Sequence, residues 1–261
     1  MLAMNIAATG MLAQQLNVEV ISNNIANLST TGFKRQRAEF QDLLYQTTRR
    51  PGVDSSDQGT LVPVGVQVGI GVKTAAVYRI NEQGSLNQTS NSLDLAIQGL
   101  GYFQVDLPDG TTGYTRAGSM QLSATGQMVT ADGYVVPGVA TVPTDTTAIT
   151  VNANGQVFAT IASSATPTNL GQLQLAVFPN DAGLQQLGNN LVKQTDASGA
   201  PQTGNPGSTG IGTIQQGFLE TSNVNVVSEI TNLISAQRAY EMNSKVVQAA
   251  NEMSQTITNL R

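Results

Sequence analysis

Residues that could support catalysis are few, and their spacing does not form a recognisable catalytic site. The chain of 261 residues contains no His and no Cys, which removes the commonest general base and the thiolate ligands of metal sites. A glycosidase would need two opposed carboxylates in an aromatic-lined cleft, yet the chain has no Trp and only 6 Tyr and 6 Phe. The carboxylates of the central region are dispersed along it: Asp94, Asp106, Asp109, Asp132, Asp145, Asp181 and Asp196. We therefore predict no catalytic residues.

Two glycine pairs could begin a phosphate-binding loop. The segments Gly69-Ile70-Gly71 and Gly99-Leu100-Gly101 start like a dinucleotide fingerprint, but neither has the third glycine nor a helical pattern behind it. The net charge of −5 also argues against nucleic acid, which requires a basic surface. We predict no cofactor, no metal and no nucleic-acid partner.

The composition favours association between copies of the chain. Charged residues make up 11% of the sequence, against roughly 25% in ordinary soluble domains, so copies repel one another weakly. No Lys or Arg precedes Lys34, and the positive start of a cleaved secretory signal is therefore missing. No apolar run reaches the length of a membrane span, so we expect no transmembrane helix.

The elements that would position any site change character along the chain. Residues 4–28 and 223–259 lack Pro and show helical periodicity, whereas the middle is rich in Gly, Thr and Val with frequent turn signals. We predict an α+β fold: long N- and C-terminal helices paired as a coiled-coil domain, an extended β arm and a central antiparallel β-rich domain. The predicted boundaries are 1–30 with 219–261 for the helices, 31–83 for the connecting segment and β-hairpin arm, and 84–218 for the β-rich outer domain.

Each terminal helix carries two apolar stripes. A single helix pair, whether parallel or antiparallel, cannot bury four stripes, so the remainder must face other molecules. Burial of the first helix inside a monomeric bundle is the alternative. The residues predicted for these subunit-interface seams are Ile6, Leu16, Val20, Ile25, Ile230, Leu233, Tyr240, Val246, Met253 and Ile257. Ser222 or Asn223 is the predicted N-cap of the second helix.

The segment after the first helix predicts an arm and a basic cluster. Alternating apolar residues predict one strand, which would aggregate unless it docks, so we assign them as arm contacts: Val62, Val64, Val66, Val68 and Ile70. Lys34, Arg35 and Arg37 form either a solvated face or a contact with an acidic surface of a neighbour.

The central region predicts short strands joined by tight turns. Strands fit the segments LDLAI, YFQVDL, MQLS, QMVTADGYVV, AITVN, GQVFATI and LQLAVF. Residues 195–212, rich in Gly, Ser and Thr, predict a flexible loop with little burial.

Four of these segments together resemble a known family. ISNNIANLSTTGFKRQRAEF (21–40), DLAIQGLGYFQV (94–105), YTRAGSMQLSATGQMVTADGYVVPG (114–138) and QQGFLETSNVNVVSEITNLISAQRAYEMNSKVVQAANEM (215–253) are similar, in the same order, to signatures of flagellar rod and hook axial proteins. The arm at 46–72 resembles a segment typical of distal rod members, which hook proteins lack.

This resemblance implies a structural subunit and not an enzyme. Its copies would form a homopolymer, a hollow tube that spans the periplasm, with the terminal helices as inner core and the β domain as outer wall. The implied partners are adjacent rod and hook proteins, the surrounding P- and L-ring proteins and the type III export apparatus. A secreted β-rich hydrolase or adhesin and a monomeric export chaperone or cap protein remain the alternatives.

Overall fold

The computed structural model describes residues 2–49, 64–162 and 166–259, without the side chain of Ile257. The chain divides into two compact units. The helical unit comprises residues 1–25, 36–78 and 225–261, and the β unit comprises residues 26–35 and 79–224. Two long helices flank a β-rich centre, so the predicted α+β class is confirmed. The three-way domain division stays a prediction.

Two helices dominate the helical unit. Helix α1 covers Leu2–Ala26 and helix α2 covers Val226–Asn259. The predicted N-cap of α2 is wrong, because Asn225 caps it: its Oδ1 accepts a hydrogen bond from the Ser228 amide at 3.2 Å. Asn223 is unavailable for capping, since its side chain donates to the carbonyls of Ile80 and Glu82.

Four strands accompany the helices: β1 (Gln36–Asp42), β2 (Tyr45–Arg49), β3 (Val66–Gly69) and β4 (Val72–Arg79). Strand β1 pairs with β4, and β2 pairs antiparallel with β3. The prediction of a single strand over the alternating residues is wrong, because Ile70 and Gly71 interrupt the strand and separate β3 from β4. Gly71 has φ +140° there, which a residue with a side chain rarely adopts.

The β unit holds fifteen described strands. They are β5 (Leu86–Gln88), β6 (Leu95–Gln98), β7 (Tyr102–Asp106), β8 (Thr112–Thr115), β9 (Met120–Leu122), β10 (Met128–Thr130), β11 (Thr146–Val151), β12 (Gln156–Ile161), β13 (Thr168–Gln172), β14 (Leu175–Val177), β15 (Gln185–Gly188), β16 (Leu191–Lys193), β17 (Gln202–Gly204), β18 (Thr213–Gln216) and β19 (Phe218–Glu220). Each of the seven predicted strand segments overlaps one of them.

The largest sheet of the β unit has six antiparallel strands in the order β15-β16-β8-β7-β14-β17. A three-stranded sheet β11-β12-β13 and the pairs β9-β10, β6-β18 and β5-β19 complete the unit. The main core contains the fully buried Leu95, Phe103 and Leu175. A second cluster is built on Phe178, whose ring meets Tyr114 edge-on at 4.8 Å between centroids.

The expectation of a loop with little burial at residues 195–212 is confirmed only in part. Most of these residues are exposed or half-buried, but strand β17 lies within the segment, and Ser198 is fully buried. The Ser198 hydroxyl donates to the Thr195 carbonyl at 2.8 Å, and the Thr195 amide donates back to it at 3.0 Å. These local side-chain bonds build a compact turn that composition alone does not reveal.

Candidate assembly surfaces and a buried charge cluster

The two helices contact each other in antiparallel orientation. The Asn24 Nδ2 donates to the Glu229 carboxylate at 3.2 Å. Toward the other end of α1, Gly10 faces Asn243, and a Cβ added to Gly10 would lie 2.9 Å from the Asn243 Nδ2. The two contacts are separated by the same number of residues on both helices, so one register holds between them. Heptad packing along the whole pair stays a prediction.

Asn24 also connects α1 to strand β1. Its side chain donates to the Gln36 carbonyl at 2.8 Å and accepts from the Gln36 amide at 2.8 Å. Asn24 and Glu229 are both almost fully buried. Buried amides and carboxylates tolerate only arrangements that satisfy their hydrogen bonds, so this contact specifies the register of the helices.

The residues predicted for the helical seams differ in exposure within one chain. Val20 is buried, and four others are half-buried: Ile6, Leu16, Ile25 and Leu233. On α2, Ile230, Tyr240, Val246 and Met253 are exposed at 44%, 44%, 47% and 60%. The side chain of Ile257 lies outside the described residues. The contacts of these residues with other subunits stay a prediction.

The exposed positions of α2 do not stand alone. Val227 and Ile234 lie on either side of Ile230 at helical spacing and are 75% and 45% exposed. Met242 precedes Val246 by one turn and is 63% exposed. A single chain therefore presents apolar surface along α2, which soluble monomers usually limit. We refer to these seven exposed residues, which are distributed over more than one stripe of the helix (Val227, Ile230, Ile234, Tyr240, Met242, Val246 and Met253), as the α2 apolar row.

The arm is equally open in a single chain. Val64, Val66 and Val68 are exposed at 75%, 51% and 39%, whereas Ile70 is half-buried. Val62 lies outside the described residues. The partner strand β2 starts at the exposed Tyr45, and its hairpin with β3 therefore offers apolar side chains to solvent. Docking of the arm against another chain stays a prediction.

A buried cluster of charges lies in the β unit around Glu220, whose side chain is fully buried. One carboxylate oxygen accepts from the Lys34 Nζ at 2.5 Å and from the Gly84 amide at 2.9 Å. The other accepts from the Arg116 Nε at 2.6 Å. The expectation that Lys34 is solvated or reaches a neighbour is wrong, because this carboxylate and the Glu82 carbonyl hold it inside the fold.

Two cations share one carboxylate in this cluster, and the pKa values of Glu220 and Lys34 are shifted as a result. Burial opposes ionisation of Glu220, but the charges of Arg116 and Lys34 outweigh it and hold the pKa of Glu220 below its ordinary value. Burial lowers the pKa of Lys34, which is attracted by one carboxylate but repelled by Arg116. The lowered pKa of Glu220 decides how the stability of the cluster depends on pH, because the charge of Glu220 compensates both cations.

The cluster joins the incoming and outgoing segments of the β unit. The Gly32 amide donates to the Glu220 carbonyl at 2.8 Å, and the Arg35 amide donates to the Asn223 side chain at 2.7 Å. Residues 32–35 and 220–223 therefore lie side by side. Sequence reasoning missed this arrangement, because partners separated by 186 residues leave no local pattern. The sequence feature that could have indicated a buried charge was Arg116, the only charged residue between Asp109 and Asp132.

No group of three or more carboxylates that could hold a metal ion occurs among residues 2–49, 64–162 and 166–259. Of the two described helices, neither combines the length and apolar character needed to cross a membrane.

Three family models match successive parts of the chain. The model for the flagella basal body rod protein matches residues 4–34, that for the flagellar hook protein FlgE/F/G D1 domain matches 96–159, and that for the flagellar basal body rod FlgEFG protein C-terminal region matches 215–260. The first and last coincide largely with α1 and α2, and the middle one covers strands of the β unit.

Similar proteins extend over the full length of the chain. It is 56% identical to the flagellar basal-body rod protein FlgG of Caulobacter vibrioides, over 100% of both chains. It is 54% identical to the protein of the same name from Agrobacterium fabrum, over 99% of this chain and 98% of the relative. The identity to the Bacillus subtilis protein of that name is 37%, over 97% and 96%.

Proposed function

Because the chain belongs to the family of flagellar basal-body rod proteins, we propose that its copies polymerise helically into the distal rod of the bacterial flagellum. The polymer would be a rigid hollow drive shaft across the periplasm that transmits motor torque to the hook and conducts exported subunits. The chain would act as a structural subunit and would catalyse no reaction.

Several partners follow from this proposal. Identical copies would contact one another through the helical seams and the arm, and adjacent rod and hook proteins would continue the same stack. The P- and L-ring proteins would surround the shaft, and the type III export apparatus would deliver the chain. The pairing of the exposed strands β2 and β3 supports the proposal that the arm contacts a neighbouring copy.

The observation that carries the proposal is the α2 apolar row. Full burial of one such side chain contributes about 1.5–3 kcal/mol, and the members of the row are roughly half exposed already. A neighbour that covered four of them would gain about 3–6 kcal/mol, less than most estimates of the roughly 4–15 kcal/mol lost on association. One helical contact is therefore insufficient, and each copy needs several neighbours at once, as a helical lattice provides.

The test compares two carboxylates introduced on the same helix of the full chain. Val246→Asp places a charge in the α2 apolar row, whereas Gln248→Asp places one at an exposed position outside it. The wild type and Gln248→Asp should form filaments visible by electron microscopy, and Val246→Asp should sediment as a monomer. The near-UV circular dichroism of Tyr102 and Tyr114 should be the same in all three, because both side chains lie in the β unit.

Two results would overturn the proposal. A wild-type chain that remains monomeric at high concentration would favour a soluble export factor. Filaments of Val246→Asp that form at the wild-type concentration would show that the α2 apolar row does not mediate assembly.

A further inference from the structure

The turn between strands β6 and β7 presents one apolar side chain to solvent. Leu100 stands between Gly99 and Gly101 and is 59% exposed. The φ values of Gly99 and Gly101 are +104° and +135°, which residues with a side chain rarely adopt. The sequence thus places a leucine at a tip where both neighbours must be glycine.

Arg116 fixes this turn from the inside. Its Nη1 donates to the Gly101 carbonyl at 2.5 Å, and its Nη2 donates to the carbonyls of Gly99 and Ile97 at 2.6 and 3.1 Å. The carbonyl of Leu100 accepts from the Gly212 amide at 2.7 Å. The carbonyls of Gly99, Leu100 and Gly101 therefore all accept from internal donors, which order the backbone of the turn, while the Leu100 side chain extends into solvent. A side chain on an ordered backbone loses less entropy when a partner covers it than one on a mobile loop.

A cavity lies toward the opposite end of β6. It has a volume of about 370 Å³ and includes Ser92 and Leu93, which precede β6, whereas Leu100 follows it. None of the described residues that line it is charged. Its apolar wall consists of Leu93, Leu122, Val142, Pro143, Ala148 and Ile149.

We propose that Leu100 of one copy of the chain inserts into this cavity of the next copy, so that the β units stack head to tail. The inference rests on the proposed function and adds a specific contact to it. A second copy suits the cavity because the turn around Leu100 is uncharged, as is the cavity lining, and both surfaces exist on every chain. These two surfaces are not self-complementary, so each contact leaves a free Leu100 at one end and a free cavity at the other. Further copies can therefore add, and the assembly is an open polymer if the rotation between copies does not close a ring, as the proposed function requires.

The test uses cysteine pairs, which the Cys-free sequence makes specific. Full chains carrying Leu100→Cys are mixed with full chains carrying Ala124→Cys, whose exposed side chain lines the cavity, and are polymerised. A short bismaleimide should then cross-link the two chains. The matched control replaces Leu100→Cys by Leu187→Cys, on strand β15 of the same unit, where the side chain is 46% exposed. This pair should remain unlinked.

The outcomes separate this contact from the proposed function. Polymers that form while the Leu100 pair links no better than the Leu187 pair would overturn the head-to-tail contact and leave the rod proposal intact. Absence of polymer from the wild-type chain would overturn both. A second measurement needs no cysteine: Leu100→Ala should raise the critical concentration for assembly about tenfold, and Leu187→Ala should leave it unchanged. Equal critical concentrations for the two alanine variants would also refute the contact.

Discussion

Removing the charge of Glu220 should destabilise the β unit more than any exposed substitution in it. Glu220→Gln keeps the size of the side chain but replaces one carboxylate oxygen by an NH2 group. That group would face either the Lys34 or the Arg116 donor, and both cations would lose their compensating charge. Removing one member of a buried ion pair costs about 3–5 kcal/mol.

The expected shift follows from the size of the unit. For domains of 150–250 residues, 1 kcal/mol corresponds to roughly 2–4 °C in melting temperature, so we expect a decrease of about 6–20 °C. The assay is thermal unfolding of the full chain followed by near-UV circular dichroism, which reports on the buried Tyr102 and Tyr114 of the β unit.

A surface ion pair in the same unit supplies the control. The Lys193 Nζ lies 3.5 Å from the Asp109 carboxylate, and their side chains are 34% and 55% exposed. Lys193→Gln should change stability by less than about 1 kcal/mol. If Glu220→Gln melted within ~2 °C of the wild type, as the control should, the cluster would not stabilise the fold and the reasoning would be refuted.

Three further predictions concern pH, a turn and the helix contact. Because the folded pKa of Glu220 is below its ordinary value, its contribution to stability is complete above the ordinary pKa and is lost as the pH falls through the folded pKa. Urea unfolding of the β unit should thus become easier below about pH 4.5, and Glu220→Gln should flatten this dependence; an unchanged slope would contradict it. Gly32→Ala should lower the melting temperature more than Gly133→Ala, because both have positive φ but only at Gly32 would the new Cβ meet backbone atoms, at 2.7 Å; equal effects would count against this. Asn24→Ala should destabilise the helical unit by about 1–3 kcal/mol in far-UV thermal scans, whereas the exposed Ser22→Ala should not, and a loss of equal size in both would refute the bond's role.

Patterns with a short period were predictable from the sequence. The two helices follow from apolar residues at three- and four-residue spacing, and the strand segments of the β unit follow from alternation between turn residues. The alternation of apolar residues predicted strand structure where Val66 and Val68 lie in β3, but it missed the interruption at Gly71 that divides the predicted strand into β3 and β4, because the sequence does not show the φ of a glycine.

Features that depend on distant partners were not predictable. The sequence around Lys34 predicts a surface cluster, and only the contact with the distant Glu220 shows that Lys34 is buried. The sequence around Arg116 likewise does not indicate that it supports the turn at Leu100. Likewise, asparagine is a suitable N-cap residue at both Asn223 and Asn225. Only the structure distinguishes them, because the Asn223 side chain donates to the carbonyls of Ile80 and Glu82. These outcomes are set by tertiary contacts rather than by local propensity.

The adjacency of residues 80–82 and Asn223 has an evolutionary consequence. The chain enters the long segment 79–224 of the β unit beside the point where it leaves it, because the Asn223 side chain donates to the carbonyls of Ile80 and Glu82, so this segment is attached in the manner of a domain inserted into a loop. Such a module can grow, shrink or be exchanged while the spacing between its two stems is kept. Diversification among relatives should therefore concentrate inside the module and spare its stems.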